Sequence, residues 1–319
     1  MKGIKHILIK NKRLSYDFTL ERNVSIISGN SATGKTTLFN LVLAYEKDKN
    51  NGVKLDCECE CITLNNNDWE MKLSKFKSVI CFIDEKSRFY KSKSFADAIK
   101  KTDNYYVIIT RESIENIPYS VDSIYKIVGG KKHTLEKIYD LKKNNYWYND
   151  NKLKNTDLID NIVVEDSKSG FQLFSAISKL LNKKCLTSKG NSNLYKFVDY
   201  DSMLIADSAA YGCYIDKTIK YLSLYKNLYL YLPECIEWII LNSIVINKKT
   251  KKEIDVILNI PFDNVESKKY FSHESFYIDL LKQKTKNNEL FSYSKTKLNK
   301  AYLNKKNLNN VINFIIMDK

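Results

Sequence analysis

The sequence has no long apolar run. Its most hydrophobic window, Trp238 to Ile246, is broken by Asn242 and Ser243 and is too short to span a bilayer. No apolar stretch of signal-peptide type opens the sequence. The expectation is therefore a soluble, cytoplasmic protein with no membrane partner. Histidine is scarce: His6, His133 and His273 stand apart, with no cysteine nearby and no acid–base spacing, and mark no site. The seven cysteines are an odd number and do not read as a disulfide framework. Cys57, Cys59 and Cys61 alternate, which on a strand would put three thiols on one face. A zinc site wants a fourth ligand and a two-residue gap, so small strand residues between acids are expected instead. No internal repeat is visible.

Against these absences stand 319 residues with 44% hydrophobic content, enough for one large or two ordinary domains. The formal charge of +15 is unevenly spread. Residues 1–150 carry 26 basic against 19 acidic side chains, residues 151–246 carry 11 against 10, and residues 247–319 carry 15 against 8. A basic end beside a near-neutral middle suits a polyanion such as nucleic acid. Plain solubility explains it equally well, and the abundance of Lys and Asn is also what an AT-rich gene gives.

The most specific pattern is Ser25–Phe39, "SIISGNSATGKTTLF". It places G-x-x-x-x-G-K-T between an apolar strand and an apolar helix. Gly29 and Gly34 permit the backbone angles that turn the N–H groups of Asn30, Ser31, Ala32 and Thr33 toward phosphate oxygens. Lys35 would reach the β- and γ-phosphates, and Thr36 would hold Mg2+, with Thr37 beside it. The helix Thr36–Tyr45 would add its positive end. Upstream, Ile7 and Ile9, then Tyr16, Phe18 and Leu20, sit two apart around a Lys10–Arg13 turn and predict a hairpin.

Downstream, "SVICFIDE" is a buried-strand pattern ending in Asp84 and Glu85. Asp84 is placed for Mg2+, and Glu85 to polarise an attacking water. A third strand, Tyr105–Thr110, ends in Arg111. Two readings of Arg111 stay open: a γ-phosphate sensor or an ordinary strand-end arginine. Strands at Ser123–Val128 and Thr134–Leu141, with helices between, predict an α/β fold with a mostly parallel sheet. The hairpin, "GNSATGKTTL", "VICFIDE" and "YYVIITR" together resemble the ABC-type ATPase heads of the RecF, SMC and OLD group. That resemblance implies ATP and Mg2+ as cofactors. It departs from the group in lacking the helical insertion and its LSGGQ-like signature between Lys35 and Asp84, and in having Arg111 where histidine often stands.

After a polar stretch at 142–161, "KKNNYWYNDNKLKNTD" and onward, that reads as a linker, the pattern restarts. Ile162–Val164 is a strand ending in Glu165 and Asp166, followed by an amphipathic helix Gly170–Leu181. "SKGNSNLYKFV" offers a Gly turn and a second short segment. Met203–Ala206 ends in Asp207, and helix Ile215–Leu224 and strand Leu228–Leu232 follow. This order resembles the Toprim domain of topoisomerases, primases and OLD-family nucleases. The resemblance implies that Glu165 and Asp207 face each other and hold Mg2+ beside a phosphodiester. Gly212 matches the family's D-x-D-x-x-G, but Ala209 stands where the second Asp belongs. Asp166, Asp199 and Asp201 are the candidate replacements. The plainer reading of Glu165 and Asp207 is helix capping or a solvated strand end.

The remainder reads as helical. Cys235–Ile246 is an apolar helix, and Tyr293–Met317 mixes Lys295, Lys297, Lys300, Lys305 and Lys306 with Tyr293 and Tyr302. Such a mixture can track a nucleic-acid strand, or it can be core tyrosines beside a solvated lysine face. The expected organisation is a P-loop ATP-binding domain over 1–145, a Toprim-like α/β domain over 158–246 and a basic helical tail over 247–319. ATPase–Toprim pairings of this kind imply a nucleotide-controlled, metal-dependent action on nucleic acid, often in defence against phages or mobile elements. Two rivals stand beside it: a nucleotide switch binding a partner protein or a second copy, and a small-molecule kinase.

Overall fold

The computed structural model describes residues 1–148, 152–197, 201–225 and 227–316. Asp199 lies outside them. The described chain divides into two compact units, Met1–Tyr139 with Pro261–Ser272, and Asp140–Ile260 with His273–Lys319.

In the first unit, β1 (Lys5–Lys10) and β2 (Ser15–Leu20) form the expected antiparallel hairpin, from Lys5 opposite Leu20 to Lys10 opposite Ser15. Asn11 fixes the turn, its Oδ1 accepting from the N–H groups of Arg13 and Leu14. The period-two set Ile7, Ile9, Tyr16, Phe18 and Leu20 is buried. The strands β3 (Val24–Ser28), β4 (Lys54–Asp56), β5 (Cys61–Leu64), β6 (Ile80–Ile83), β7 (Tyr105–Ile109), β8 (Ile124–Gly129) and β9 (Lys132–Lys137) complete a nine-stranded sheet. Its order is β4-β1-β2-β9-β8-β3-β7-β6-β5. The run β8-β3-β7-β6-β5 is entirely parallel. Every residue of β6 and β7 is buried, as continuous apolar runs in a parallel sheet require. Helices α1 (Lys35–Lys47), α2 (Trp69–Lys75) and α3 (Lys93–Ile99) connect these strands.

The two edge strands, β4 and β5, are joined by only four residues, 57–60. At about 3.5 Å per residue, those edges lie within roughly 18 Å of each other, so the sheet curls. Apolar residues of α1 (Leu38, Leu41 and Val42) join β1, β2 and β6 in one core inside the curl. This corrects the expectation for the alternating cysteines. Only Cys61 is on a strand, because the backbone at Cys57 and Cys59 must turn from one sheet edge to the other. Residues 261–272 close the unit through Phe262 O, which accepts from Gly3 N at 2.9 Å, and Phe271 O, which accepts from Asn23 Nδ2 at 2.8 Å.

In the second unit, β10 (Asn161–Val164), β11 (Lys184–Thr187), β12 (Ser202–Ile205) and β13 (Leu228–Tyr231) form an all-parallel sheet in the order β11-β10-β12-β13. The second short strand thus precedes the Gly turn, and Asn191–Phe197 after the turn is a 3-10 helix. Around the sheet lie α4 (Ser169–Leu180), α5 (Ile215–Leu222), α6 (Ile236–Ser243), α7 (Lys248–Asn259), α8 (His273–Thr285) and α9 (Lys305–Ile316). The apolar α6 packs against both α8 and α9. The polar stretch read as a linker is partly built into this unit. Trp147 is 1% exposed, bridges Tyr231 and donates from Nε1 to Ile315 O at 3.2 Å. Burying one large ring outweighs the polarity of its neighbours. Among the described residues, no helix is long and apolar enough to cross a membrane.

Candidate functional site

Two sites emerge, one in each unit, both at the carboxyl ends of parallel strands. In the first unit, the chain leaves β3 through Gly29, at φ 122°, and enters α1 through Gly34, at φ 93°. Both glycines occupy the left-handed region that side chains resist. A Cβ on Gly34 would also sit 2.6 Å from the Tyr16 hydroxyl, which donates to Gly34 O at 2.8 Å. Ala32 joins them at φ 62°. The result is a tight loop whose shape the residues 29–34 impose.

No side chain caps α1, and its first turn holds no acid. Thr36 and Thr37 are exposed there. Uncapped N–H groups with the positive end of a helix dipole form an anion seat. The Lys35 amine folds back onto the loop, donating to Gly29 O at 2.8 Å, Asn30 O at 2.5 Å and Thr33 Oγ1 at 3.2 Å. Burial, then the Arg111 charge, pull the Lys35 amine below its usual range, with Glu85 opposing.

Because β7 lies between β3 and β6, the strand ends bring the loop, Asp84, Glu85 and Arg111 into one neighbourhood. Arg111 bridges the motifs. Its Nη1 donates to Ser31 Oγ at 3.0 Å, its Nη2 to Glu85 Oε1 at 3.3 Å, and its Nε lies 3.2 Å from Glu85 Oε2. Asp84 is 6% exposed and its Oδ1 has no hydrogen-bond partner. A buried unpartnered carboxylate oxygen beside an anion seat fits a hard cation such as Mg2+. The arrangement can hold a polyphosphate and neutralise its charge.

The second site is a cavity of about 260 Å3. Glu165 and Asp207 both line it, from the ends of β10 and β12, as their shared parallel register dictates. Five further charged residues line it: Asp166, Lys189, Glu237 from the first turn of α6, Glu274 from the first turn of α8, and Lys295. Lys295 is positioned through its own segment. Ser169 N donates to Lys295 O at 3.1 Å, and Gln172 ties down Thr296 and Leu298. Its amine pairs with Glu274, and Tyr293 donates to Glu237.

The crowding shows in the protonation equilibria. Burial, then Glu274 and Asp166, push the Glu165 carboxyl up to about 8, against the pull of Lys295. Burial, then Glu165, Glu274 and Glu237, push Asp207 well above the usual carboxylate range. Burial opposes the Lys295 charge, but Glu274, Glu237 and Asp207 hold its amine above the usual range. Glu165 Oε2 is buried without a hydrogen-bond partner. The donors are hard oxygens suited to a divalent cation. Among the described residues, however, no group of three or more His, Cys, Asp or Glu stands ready to ligate one. A cation here would lean on one or two carboxylates and complete its shell with water and phosphate, which is how Mg2+ is commonly held.

Of the candidate replacements at Ala209, Asp166 lines the same cavity, and its carboxylate also accepts from Lys168 N and Gly170 N at the start of α4, both at 2.7 Å. Asp201 is exposed at the start of β12 and does not line the cavity. The extra carboxylates are Glu237 and Glu274, which sequence reasoning missed. One signal was available: Glu237 is the sole charge in the apolar run Cys235–Ile246. Tyr293 and Tyr302 are buried and hydrogen-bonded, to Glu237 and to Phe291 O, so neither offers a face to a base. Lys297, Lys300, Lys305 and Lys306 are exposed. No protein-family profile, no curated protein and no solved structure matches this chain.

Proposed function

We propose that the chain binds and hydrolyses ATP in its first unit, and that nucleotide state governs a metal-dependent, nucleic-acid-acting second unit. The observation that carries this reading is the convergence of the glycine loop, Asp84, Glu85 and Arg111 at the ends of β3, β6 and β7. Lys35 and the loop N–H groups would hold the phosphates. Thr36 and Asp84 would hold Mg2+, which when bound spreads the phosphate charge. Glu85 would orient and deprotonate the attacking water once Arg111 releases it. That release is cheap. An exposed ion pair contributes about 0–1 kcal/mol, whereas a charge-assisted bond to phosphate is worth about 1.5–3 kcal/mol.

In the second unit, Glu165 and Asp207 would hold a divalent cation beside a phosphodiester. Lys295 would hold the phosphate's negative charge, and the exposed lysines of the final helices would bear the strand. A role in defence against phages or mobile elements fits such a pairing. A second reading rests on Ala209 and on the lack, among the described residues, of a ready three-donor group: a nucleotide switch whose second unit binds a partner protein. A cleavage assay on plasmid DNA and RNA with ATP and Mg2+ or Mn2+ tests both. Cleavage lost in Glu165→Ala and altered in Lys35→Ala supports the first reading. ATP binding with no cleavage supports the switch.

A further inference from the structure

A separate cavity of about 390 Å3 lies where the sheet edges β4 and β5 approach each other, walled by the last turn of α1. Cys57, Cys59 and Cys61 all line it, with Glu58 beside them in an ion pair to Lys5 at 3.5 Å. All three are free thiols. The Cys57 and Cys61 thiols are close enough to shift each other's protonation, and Cys61 Sγ lies 3.9 Å from Cys59 O. Cys57 and Cys59 are half-buried, whereas Cys61 is 3% exposed. The trio does not stand ready to ligate a metal.

We propose that Cys57 and Cys61 form a hydroperoxide-oxidisable dithiol, with Cys57 attacking and Cys61 resolving. Cys57 is half-buried where Cys61 is almost wholly covered, so an oxidant in the cavity meets Cys57 before Cys61. The Cys57 sulfur attacks the peroxide, forming an S–O bond and breaking the O–O bond. The departing oxygen leaves as alkoxide or hydroxide and takes up the proton that Cys57 lost. The Cys61 sulfur then attacks the Cys57 sulfur, giving up its proton. An S–S bond forms, the S–O bond breaks, and water leaves. Two thiols are oxidised to one disulfide, and one hydroperoxide is reduced to an alcohol or water. The segment between them is irregular rather than strand, which lets the backbone meet disulfide geometry. The bond would join the residue after β4 to the first residue of β5, tying the two sheet edges together.

The electrostatics agree with this division of labour. Interaction with the Cys61 thiol holds the Cys57 thiol down at about 7. The same interaction, then burial, push Cys61 up, so it waits as a thiol. Burial pushes Cys59 up as well.

The proposal rests on neither the nucleotide nor the metal reading. Its test uses the reduced full chain, hydrogen peroxide, alkylation of the remaining thiols and peptide mass spectrometry. The expected product is an internal disulfide between Cys57 and Cys61. Cys57 should oxidise roughly 10-fold or more faster than Cys185, another half-buried cysteine, whose thiol burial holds up to about 11. Cys61→Ser should leave a sulfenic acid at Cys57 that a dimedone probe traps. Cys57→Ser should abolish the disulfide, and Cys59→Ser should leave it unchanged, with circular dichroism verifying each fold. Oxidation of Cys57 no faster than that of Cys185, or a disulfide to Cys59 in place of Cys61, overturns the proposal.

Discussion

The two units treat charge in opposite ways. At the strand ends of the first, Lys35 is bonded to loop carbonyls, and Arg111 and Glu85 neutralise each other. One Asp84 oxygen is left unpartnered. In the second, Glu165, Asp166, Asp207, Glu237 and Glu274 crowd one cavity, which Lys189 and Lys295 also line. Burial first, and then this crowding, favours held protons, which is why Glu165 and Asp207 are pushed upward. A paired site stands ready for an anion that must displace modest interactions. A crowded acidic site stands ready for a cation or for protons.

That contrast also explains what could be read from residue order. The first site is encoded locally: one short segment makes the loop, and apolar strands deliver Asp84, Glu85 and Arg111 to their ends. Periodicity and a motif suffice for such a site. The second draws on positions 165, 207, 237, 274 and 295, and only the first two stand at the ends of recognisable strands. Glu237 and Glu274 lie in helices whose other residues signal packing. Lys295 sits in a stretch whose lysines suggest a solvated face, and only its docking on α4 turns it inward. The curl that brings β4 to β5 is likewise a property of the sheet order and not of any one segment.

The largest effect should come from breaking the pair in the first unit. If Glu85 is the base, as proposed, Glu85→Gln removes it and loosens Arg111, and hydrolysis should fall by roughly 10²–10⁴-fold, the usual worth of general-base catalysis. ATP binding should change little. Single-turnover phosphate release, beside equilibrium binding, separates the two effects. An unchanged rate would mean that Glu85 only holds Arg111.

Lys35→Ala should weaken ATP binding by about 10- to 100-fold, the value of one charge-assisted bond to phosphate. Fluorescent-nucleotide titration measures it. A variant that binds as wild type would place the phosphate elsewhere and dissolve the contrast between the sites.

On the acidic side, Mn2+ titration by calorimetry, without nucleotide, should register a site that Glu165→Gln weakens by about 10-fold, since hard cations depend on each anionic oxygen. Lys35→Ala should leave that titration as in wild type. Heat of binding that is equal in wild type and Glu165→Gln would leave the cavity with protons as its only counter-charge.

A last effect, read in stability rather than affinity, distinguishes protons from cations, and its sign can be worked out. The Glu165 carboxyl stands at about 8 in the folded chain against an ordinary 4.5. Between those values the unfolded chain has released the proton that the folded chain retains. The contribution is therefore fully present below about pH 4.5 and is lost as pH rises through about 8. Glu274, Asp166 and Asp207 favour the retained proton, and Lys295 opposes it. Other carboxylates move the other way, Asp103 among them, so the informative quantity is a difference between proteins. Thermal melts of wild type and Glu165→Gln in chelator, from pH 5 to 8, should diverge in favour of Gln by on the order of 2 kcal/mol, since Gln carries no charge to confine. Saturating Mn2+ should close the gap from the wild-type side, because a bound cation supplies what the proton supplied. Parallel melting curves would mean that water already reaches Glu165 and that the cavity is less crowded than its lining implies.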